Sequence, residues 1–292
     1  MDQIVEDLLG TNNKSKNNNY NKSYNKNNNW KEQNRKRNEA YKKIEGMSFK
    51  ILKNGDMFEQ YLNVLSRFEK YSVGNCMLIL ETEPNAIQIK ERQDWIDRGY
   101  ELTPNAKSMI ILEPNKANGK VYYNPKEEYD ISQTNAPILQ EIEYTDRDIL
   151  LALFKDCKAE RVVVDVLPNG EKGAEYIENE NKLYMCRGLK SDYLLKTVIQ
   201  EIARMEMQGV EIGEMKEFKT YCISYMICKK YGLETSQFDF SKLPNELSSK
   251  EKGKDIRIEL DDIRTNFTKV NSKIATYFEQ QEKSRKNKEQ ER

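Results

Sequence analysis

From Asp56 to Phe68 the apolar side chains Phe58, Tyr61, Leu62, Leu65 and Phe68 recur at intervals of three and four. That spacing gathers them on one face of a helix opened by an acidic residue. A compact apolar run, Cys76 to Leu80, follows Gly74. Further on, Met109-Ile110-Ile111-Leu112 before Pro114 reads as a strand, Asn115 to Lys120 as a hairpin loop, and Val121-Tyr122-Tyr123 as the returning strand. Residues 146 to 157 predict a helix, Arg161 to Leu167 a β-branched strand closed by the turn Pro168-Asn169-Gly170, and Lys182 to Met185 a short strand. Two amphipathic helices follow, one from Ser191 as N-cap to Gln208 before Gly209, the other from Lys216 to Tyr231 before Gly232. After a polar linker, Ser248 to Asp255, a last helix runs through Ile258, Ile263, Phe267, Val270, Ile274 and Phe278.

Helices interspersed with short strands give an α+β chain, and its length suits two domains. Residues 11 to 45 break the pattern: Asn and Lys dominate, and ten cations stand against three acids with almost no aliphatic side chains. Such composition cannot bury enough apolar surface to offset chain entropy, which predicts a disordered basic arm over residues 1 to 45. Tyr20, Tyr24 and Trp30 lie among its cations. The arm therefore reads either as a solvated linker or as a set of stacking platforms beside phosphate-pairing lysines.

Over the whole chain 48 Lys and Arg balance 48 Asp and Glu, so a uniformly basic nucleic-acid binder is excluded while a locally basic arm is not. Residues 46 to 145 alone hold 11 cations against 15 acids. The chain has no histidine among its 292 residues. Histidine-liganded zinc, Ser-His-Asp or Cys-His nucleophilic catalysis and histidine pH sensing are therefore outside its chemistry. Five cysteines without a C-x-x-C spacing predict buried reduced thiols. No apolar run reaches the ~18 residues of a spanning helix, and acidic residues at 2, 6 and 7 replace the basic start of a signal peptide. These features predict a cytoplasmic protein away from membranes.

The series Tyr71-Ser72-Val73-Gly74-Asn75-Cys76-Met77-Leu78-Ile79, then Pro84, Trp95, Gly99, Lys107 and the strand to Pro114, reads locally as capping and core. In order, it also resembles the N-terminal single-stranded-DNA-binding domain of ArdC-type antirestriction and LtrC-like proteins of plasmids and conjugative elements. Tyr129-Asp130-Ile131-Ser132-Gln133-Thr134 is similar to a Phe-Asp-Ile-Ser-Gln-Thr segment of that family, differing only by Tyr for Phe. The family's Gly-Glu-Lys-Gly turn appears as Asn105-Ala106-Lys107-Ser108, where only the lysine matches.

The resemblance continues through Gly173-Ala174-Glu175-Tyr176 and Lys196-Thr197-Val198-Ile199-Gln200-Glu201-Ile202-Ala203-Arg204 to Tyr225, Cys228 and Gly232. It implies a zincin-like second domain, whose helix in the family carries His-Glu-x-x-His. Two histidines at i and i+4 with a later acid make a zinc site, and the Glu between them serves as base. Here Gln200 and Arg204 stand at the histidine positions and Glu201 alone remains; matching Tyr225, Cys228 and Gly232 puts Lys219 at the acidic ligand position, with Glu217 as a neighbouring substitute. A neutral amide is a weak ligand and a permanent cation repels a metal. The resemblance thus implies a degenerate, non-catalytic peptidase-like domain with no metal and no cofactor. Arg204 either pairs with Glu201 three residues earlier, Glu217 approaching from the next helix, or is an exposed surface charge.

The implied organisation is an arm at 1–45, an ArdC-like α+β domain at 46–145, a zincin-like α+β domain at 146–247, and a linker, helix and charged tail at 248–292. The implied partner is single-stranded DNA, met by Tyr71, Ser72, Asn75, Arg92, Trp95, Arg98, Lys107 and Tyr123; the alternative is a protein partner of DNA transfer or restriction, held in the degenerate cleft.

Overall fold

The computed structural model describes residues 14–137, 143–207 and 213–290. The chain opens with helix α1 (Lys14–Lys50), then α2 (Gly55–Arg67) and α3 (Val73–Thr82). Asn54 caps α2 by accepting the Met57 N–H at 2.8 Å, and Ser72 caps α3 by accepting the Asn75 N–H at 3.2 Å. Next come β1 (Ile89–Glu91), the short α4 (Arg92–Asp97), β2 (Met109–Ala117) and β3 (Lys120–Asp130). They form an antiparallel sheet in the order β1-β3-β2.

The hairpin loop expected at Asn115 to Lys120 is instead mostly paired strand, with Asn115 opposite Tyr122 and Lys116 opposite Val121. Only Asn118-Gly119 turns, with φ of 51° and 73°. An Asn-Gly pair tolerates two positive φ angles, so the ladder runs to its tightest closure.

Helix α5 (Asp146–Lys155), opened by a Thr145–Asp148 capping box, leads to β4 (Glu160–Val164), β5 (Ala174–Ile177) and β6 (Lys182–Cys186). Here the order is β4-β6-β5, with β4 parallel and β5 antiparallel to β6. Then follow α6 (Ser191–Glu206), α7 (Glu214–Lys230), the single turn α8 (Asn245–Ser248) and α9 (Gly253–Gln290). Ser191 is the first helical residue of α6 rather than its cap, and its hydroxyl donates to Asp146 at 2.5 Å. The helix stop expected at Gly209 lies outside the described residues.

The disordered arm expected at 1–45 gives way, over the described residues, to α1. Ala40, Ile44, Met47 and Ile51 follow one another at four, three and four and are all buried, a helical stripe hidden by the polar residues around it. The side chains of Tyr20 and Tyr24 are outside the described residues; Trp30 is exposed.

A split into separate halves at 145 is not what the core shows. One buried cluster runs from Ala40 through Phe58 and Met77 to Tyr225 and Ile274. Phe58 on α2 meets Phe218 and Phe240 at ring distances of 5.5 and 5.7 Å. Tyr225 on α7 bridges Glu59 and Asn63 on α2 at 2.8 and 2.7 Å. A side chain at Gly55 would strike the Phe240 carbonyl oxygen, so glycine lets the two segments touch.

The 248–292 region, expected as linker, helix and tail, supplies a central strut. Ile256, Leu260, Ile263, Phe267, Val270 and Ile274 of α9 are all buried at a spacing of four and three, while Ile258 points outward. That seam packs against α1, α3, α5, α6 and α7.

Candidate functional site

The positions expected to form a peptidase-like site converge only in part. Glu201 and Arg204 lie on α6 and Glu217 on the first turn of α7. The Arg204 guanidinium forks onto Glu217, Nη1 to Oε1 and Nη2 to Oε2, the planar geometry that suits arginine and carboxylate. Its Nε is 3.2 Å from Glu201 Oε2, an ion pair without the angle of a hydrogen bond. Glu201 is buried, and its Oε2 accepts the Tyr176 backbone N–H of β5 at 3.0 Å. Gly173, at the head of that strand, has no side chain where Thr197 of α6 comes within 3.1 Å, so β5 lies close along the helix.

Burial pushes the Glu201 carboxyl above its ordinary value, against the opposing pull of Arg204 and the Tyr176 N–H. Burial of Arg204 acts the other way on its own charge, yet Glu217 first and Glu201 second hold the guanidinium firmly protonated. The cation therefore belongs chiefly to Glu217. Lys219 does not join this group. It turns to the other face of α7, where its ammonium is 2.7 Å from both Glu259 and Asp262 of α9. Of the two candidates for the acidic ligand position, Glu217 is the one that faces α6. Gln200 lines an open cleft of about 320 Å3 with Glu214, Phe218, Tyr221 and Leu243.

This donor set does not fit a zinc ion. A neutral amide, a fixed guanidinium, a carboxylate already accepting a backbone N–H and a second carboxylate taken up by that guanidinium make a weak donor set beside a repelling charge. Among the described residues, no group of three or more Cys, Asp or Glu is placed to hold a metal.

The eight residues expected on the DNA face fall into two sets. Trp95 is 2% exposed and donates its Nε1–H to the Tyr129 carbonyl at 3.0 Å. It centres a small cluster with Tyr129 and Ile131 and is core, not a stacking platform. Around that cluster Arg92 lies over the Tyr129 ring at 5.6 Å, Arg98 is exposed, and Lys107 is tied by its N–H to Gln133 Oε1 at 2.6 Å while its side chain is exposed. Asp130 anchors the segment that carries Tyr129 and Ile131. Its carboxylate accepts three backbone N–H groups, from Ile87, Gln88 and Ser132, at 2.7, 2.9 and 3.0 Å.

The other set, Tyr71, Ser72, Asn75 and Tyr123, comes together. Buried Asn75 exchanges two hydrogen bonds with the Leu112 backbone, at 3.0 and 2.9 Å, clamping α3 to β2. Tyr71 is half-buried and donates to Glu128 at 2.9 Å. All four line a trough of about 490 Å3 with Lys70 and Arg264. Beyond it, Ser72, Asn75 and Tyr123 also face Tyr41, Lys42 and Arg257 across a second cleft of about 620 Å3. Sequence reasoning missed those last three. The signal within reach was the Ala40-Ile44-Met47 stripe, which makes the arm a helix and turns Tyr41 toward the body.

Four of the cysteines are buried and Cys157 is half-buried, all as free thiols. Among the described residues no helix is long and apolar enough to cross a membrane.

Among solved structures, the chain is similar to an antirestriction protein. The structures are those of antirestriction ArdC from the R388 plasmid. Its Mn(II)-bound form has a TM-score of 0.45 at 12% identity, over 70% of this chain and 84% of that one. Its metal-free form has a TM-score of 0.44 at 11% identity, over 70% and 85%. No protein-family profile and no curated protein matches the chain.

Proposed function

We propose that this chain is a non-catalytic single-stranded-DNA-binding protein of a plasmid or conjugative element, of the ArdC type, with an antirestriction or DNA-transfer role and a peptidase-like half kept as scaffold. The observation that carries the non-catalytic part is the Arg204 fork on Glu217 beside buried Glu201. It sets a permanent cation of the chain's own among the carboxylates, and a lone buried carboxylate is a poor general base without a partner. The DNA-binding part is supported by the ordered motif residues 71–79 and 129–134, and by the aromatic troughs with cations on their rims.

The test is fluorescence anisotropy of labelled single-stranded and duplex oligonucleotides titrated with the full-length protein at two salt concentrations. Preference for the single strand, weakening as salt rises, is the expected result. Equal binding to both forms, or none, removes the reading. A second reading, a pseudo-enzyme that holds a protein partner, has one observation in its favour: the cleft of about 320 Å3 beside Gln200 stays open despite the filled carboxylate site. Recovery of one specific protein after nuclease treatment, lost when Phe218 or Tyr221 is replaced by Ala, would move it ahead.

A further inference from the structure

Two tyrosines stand out on a surface whose core has no use for them. Tyr41 on α1 and Tyr123 on β3 are 44% and 40% exposed, and among the described residues neither ring meets another aromatic ring. They face the same cleft of about 620 Å3, whose floor is apolar, from Ile44, Val73 and Leu112. The Tyr41 hydroxyl titrates above its ordinary range, from burial first and then from the charge of Tyr123. Beside the cleft, α1 meets the hairpin through the Lys36–Glu127 ion pair at 2.5 Å. Gly74 leaves room where a side chain would press on Ile44 at 3.1 Å.

The charges around this space are sorted. Each acid beside it already has an internal partner: Glu45 is held by Arg257 at 2.8 Å, Glu128 by the Tyr71 hydroxyl at 2.9 Å, and Glu113 by Lys126 at 3.0 Å. Lys42 and Lys70 are exposed and in no ion pair among the described residues. Lys42 rims the cleft, Lys70 rims the adjoining trough of about 490 Å3, and the two spaces share Ser72, Asn75, Leu112 and Tyr123. Exposed aromatic faces over an apolar floor, with unpaired cations on either side along one continuous path, match a flat π-system carried on a polyanionic chain. A duplex, with its bases stacked inside, does not present that surface.

We propose that this cleft seats one unstacked base of a single strand against Tyr41 and Tyr123, the flanking phosphates passing Lys42 on one side and Lys70 on the other. The site rests on the single-stranded-DNA reading above and adds to it a place built jointly by α1, α3, the β2–β3 hairpin and α9.

The test uses full-length protein and labelled oligothymidine, with an oligomer of the same length carrying abasic sites in the middle as the base-free probe. The double variant Y41A/Y123A is expected to bind oligothymidine roughly ten- to a hundredfold more weakly, the loss of stacking on one base. Its salt dependence stays as in the wild type, because no cation has been removed. Y41F/Y123F, which keeps both rings, binds within about twofold of wild type, since stacking uses the π-face and not the hydroxyl. The abasic oligomer reduces wild-type affinity by a comparable factor and leaves Y41A/Y123A nearly unchanged. A K42Q/K70Q variant shows a shallower salt dependence.

Wild-type affinity in Y41A/Y123A overturns the cleft while leaving single-strand binding by the chain intact. Failure of the wild-type protein to prefer single strands over duplex overturns both. Loss of binding in Y41F/Y123F as well as Y41A/Y123A, together with a lowered melting temperature, assigns the tyrosines to structure and overturns the site.

Discussion

Arg204 illustrates how one side chain redirects a local chemistry. Its charge is held by a half-exposed carboxylate, Glu217, and adjoins a buried one, Glu201. Removing it leaves Glu201 without its nearest cation. Breaking a fully buried pair costs about 3–5 kcal/mol, and solvent screening at Glu217 reduces this; R204A should lose about 1–2 kcal/mol, read as a lowered denaturant midpoint with unchanged slope. Glu201 makes a second, pH-dependent prediction. Its folded pKa is raised above the unfolded one, so the folded state holds the proton longer, and the favourable contribution present below the unfolded pKa is lost as pH rises through the folded value. A melting profile against pH should therefore fall less steeply in E201Q over the range above the ordinary carboxylate pKa; an identical profile removes the assignment. The same helix face offers a constructive test. Q200H/R204H places two imidazoles at i and i+4 opposite Glu217, a zinc-type donor set. It should take up Co(II) with visible d–d absorption where the wild type shows none.

Among the elements, α9 is the one whose weight the sequence conceals. Its buried positions repeat every three and four residues from Ile256 to Ile274, and Phe267 is fully buried near the middle. F267A should cost about 3–5 kcal/mol, the usual price of emptying a core aromatic site, and calorimetry would show it. Amphipathic stretches such as Asp56–Phe68 and the α6 and α7 segments were legible because their periodicity is local. Strand β5 was not: four residues, each only half-buried, leave no alternation to read. Helix α1 was lost for a different reason, since Asn and Lys fill its solvent face and composition outweighed a stripe of three or four apolar residues. The motif positions at 200, 201 and 204 were legible as chemistry, but the acidic position on the next helix was not settled, because a two-residue shift on α7 decides between Glu217 and Lys219 and only the packing of two helices fixes it. The cleft at Tyr41, Tyr123 and Arg257 joins residues more than eighty positions apart and left no contiguous trace.

At the scale of the whole molecule, the two motif-bearing halves share one core, and their unfolding should be shared too. Tyr225 is buried on α7 and hydrogen-bonded to Glu59 and Asn63 on α2, so the junction is polar as well as apolar. Calorimetry of the wild type should show a single transition, and Y225F should move that transition as a whole by about 1–2 kcal/mol, the cost of stranding buried partners. Two resolved transitions, only one of them shifted, would restore the picture of independent domains.

The lean of α1 on α9 also bears on how the protein is made. Glu45 meets Arg257 and the Gly253 N–H across more than two hundred residues, a separation that makes such contacts slow to close. While the chain leaves the ribosome, the early helices wait without the helix they pack against until the stretch beyond 253 has been translated and has left the exit tunnel. A message cut short before that point would yield a sticky, protease-sensitive fragment rather than a folded half, which the cell's quality-control machinery would remove.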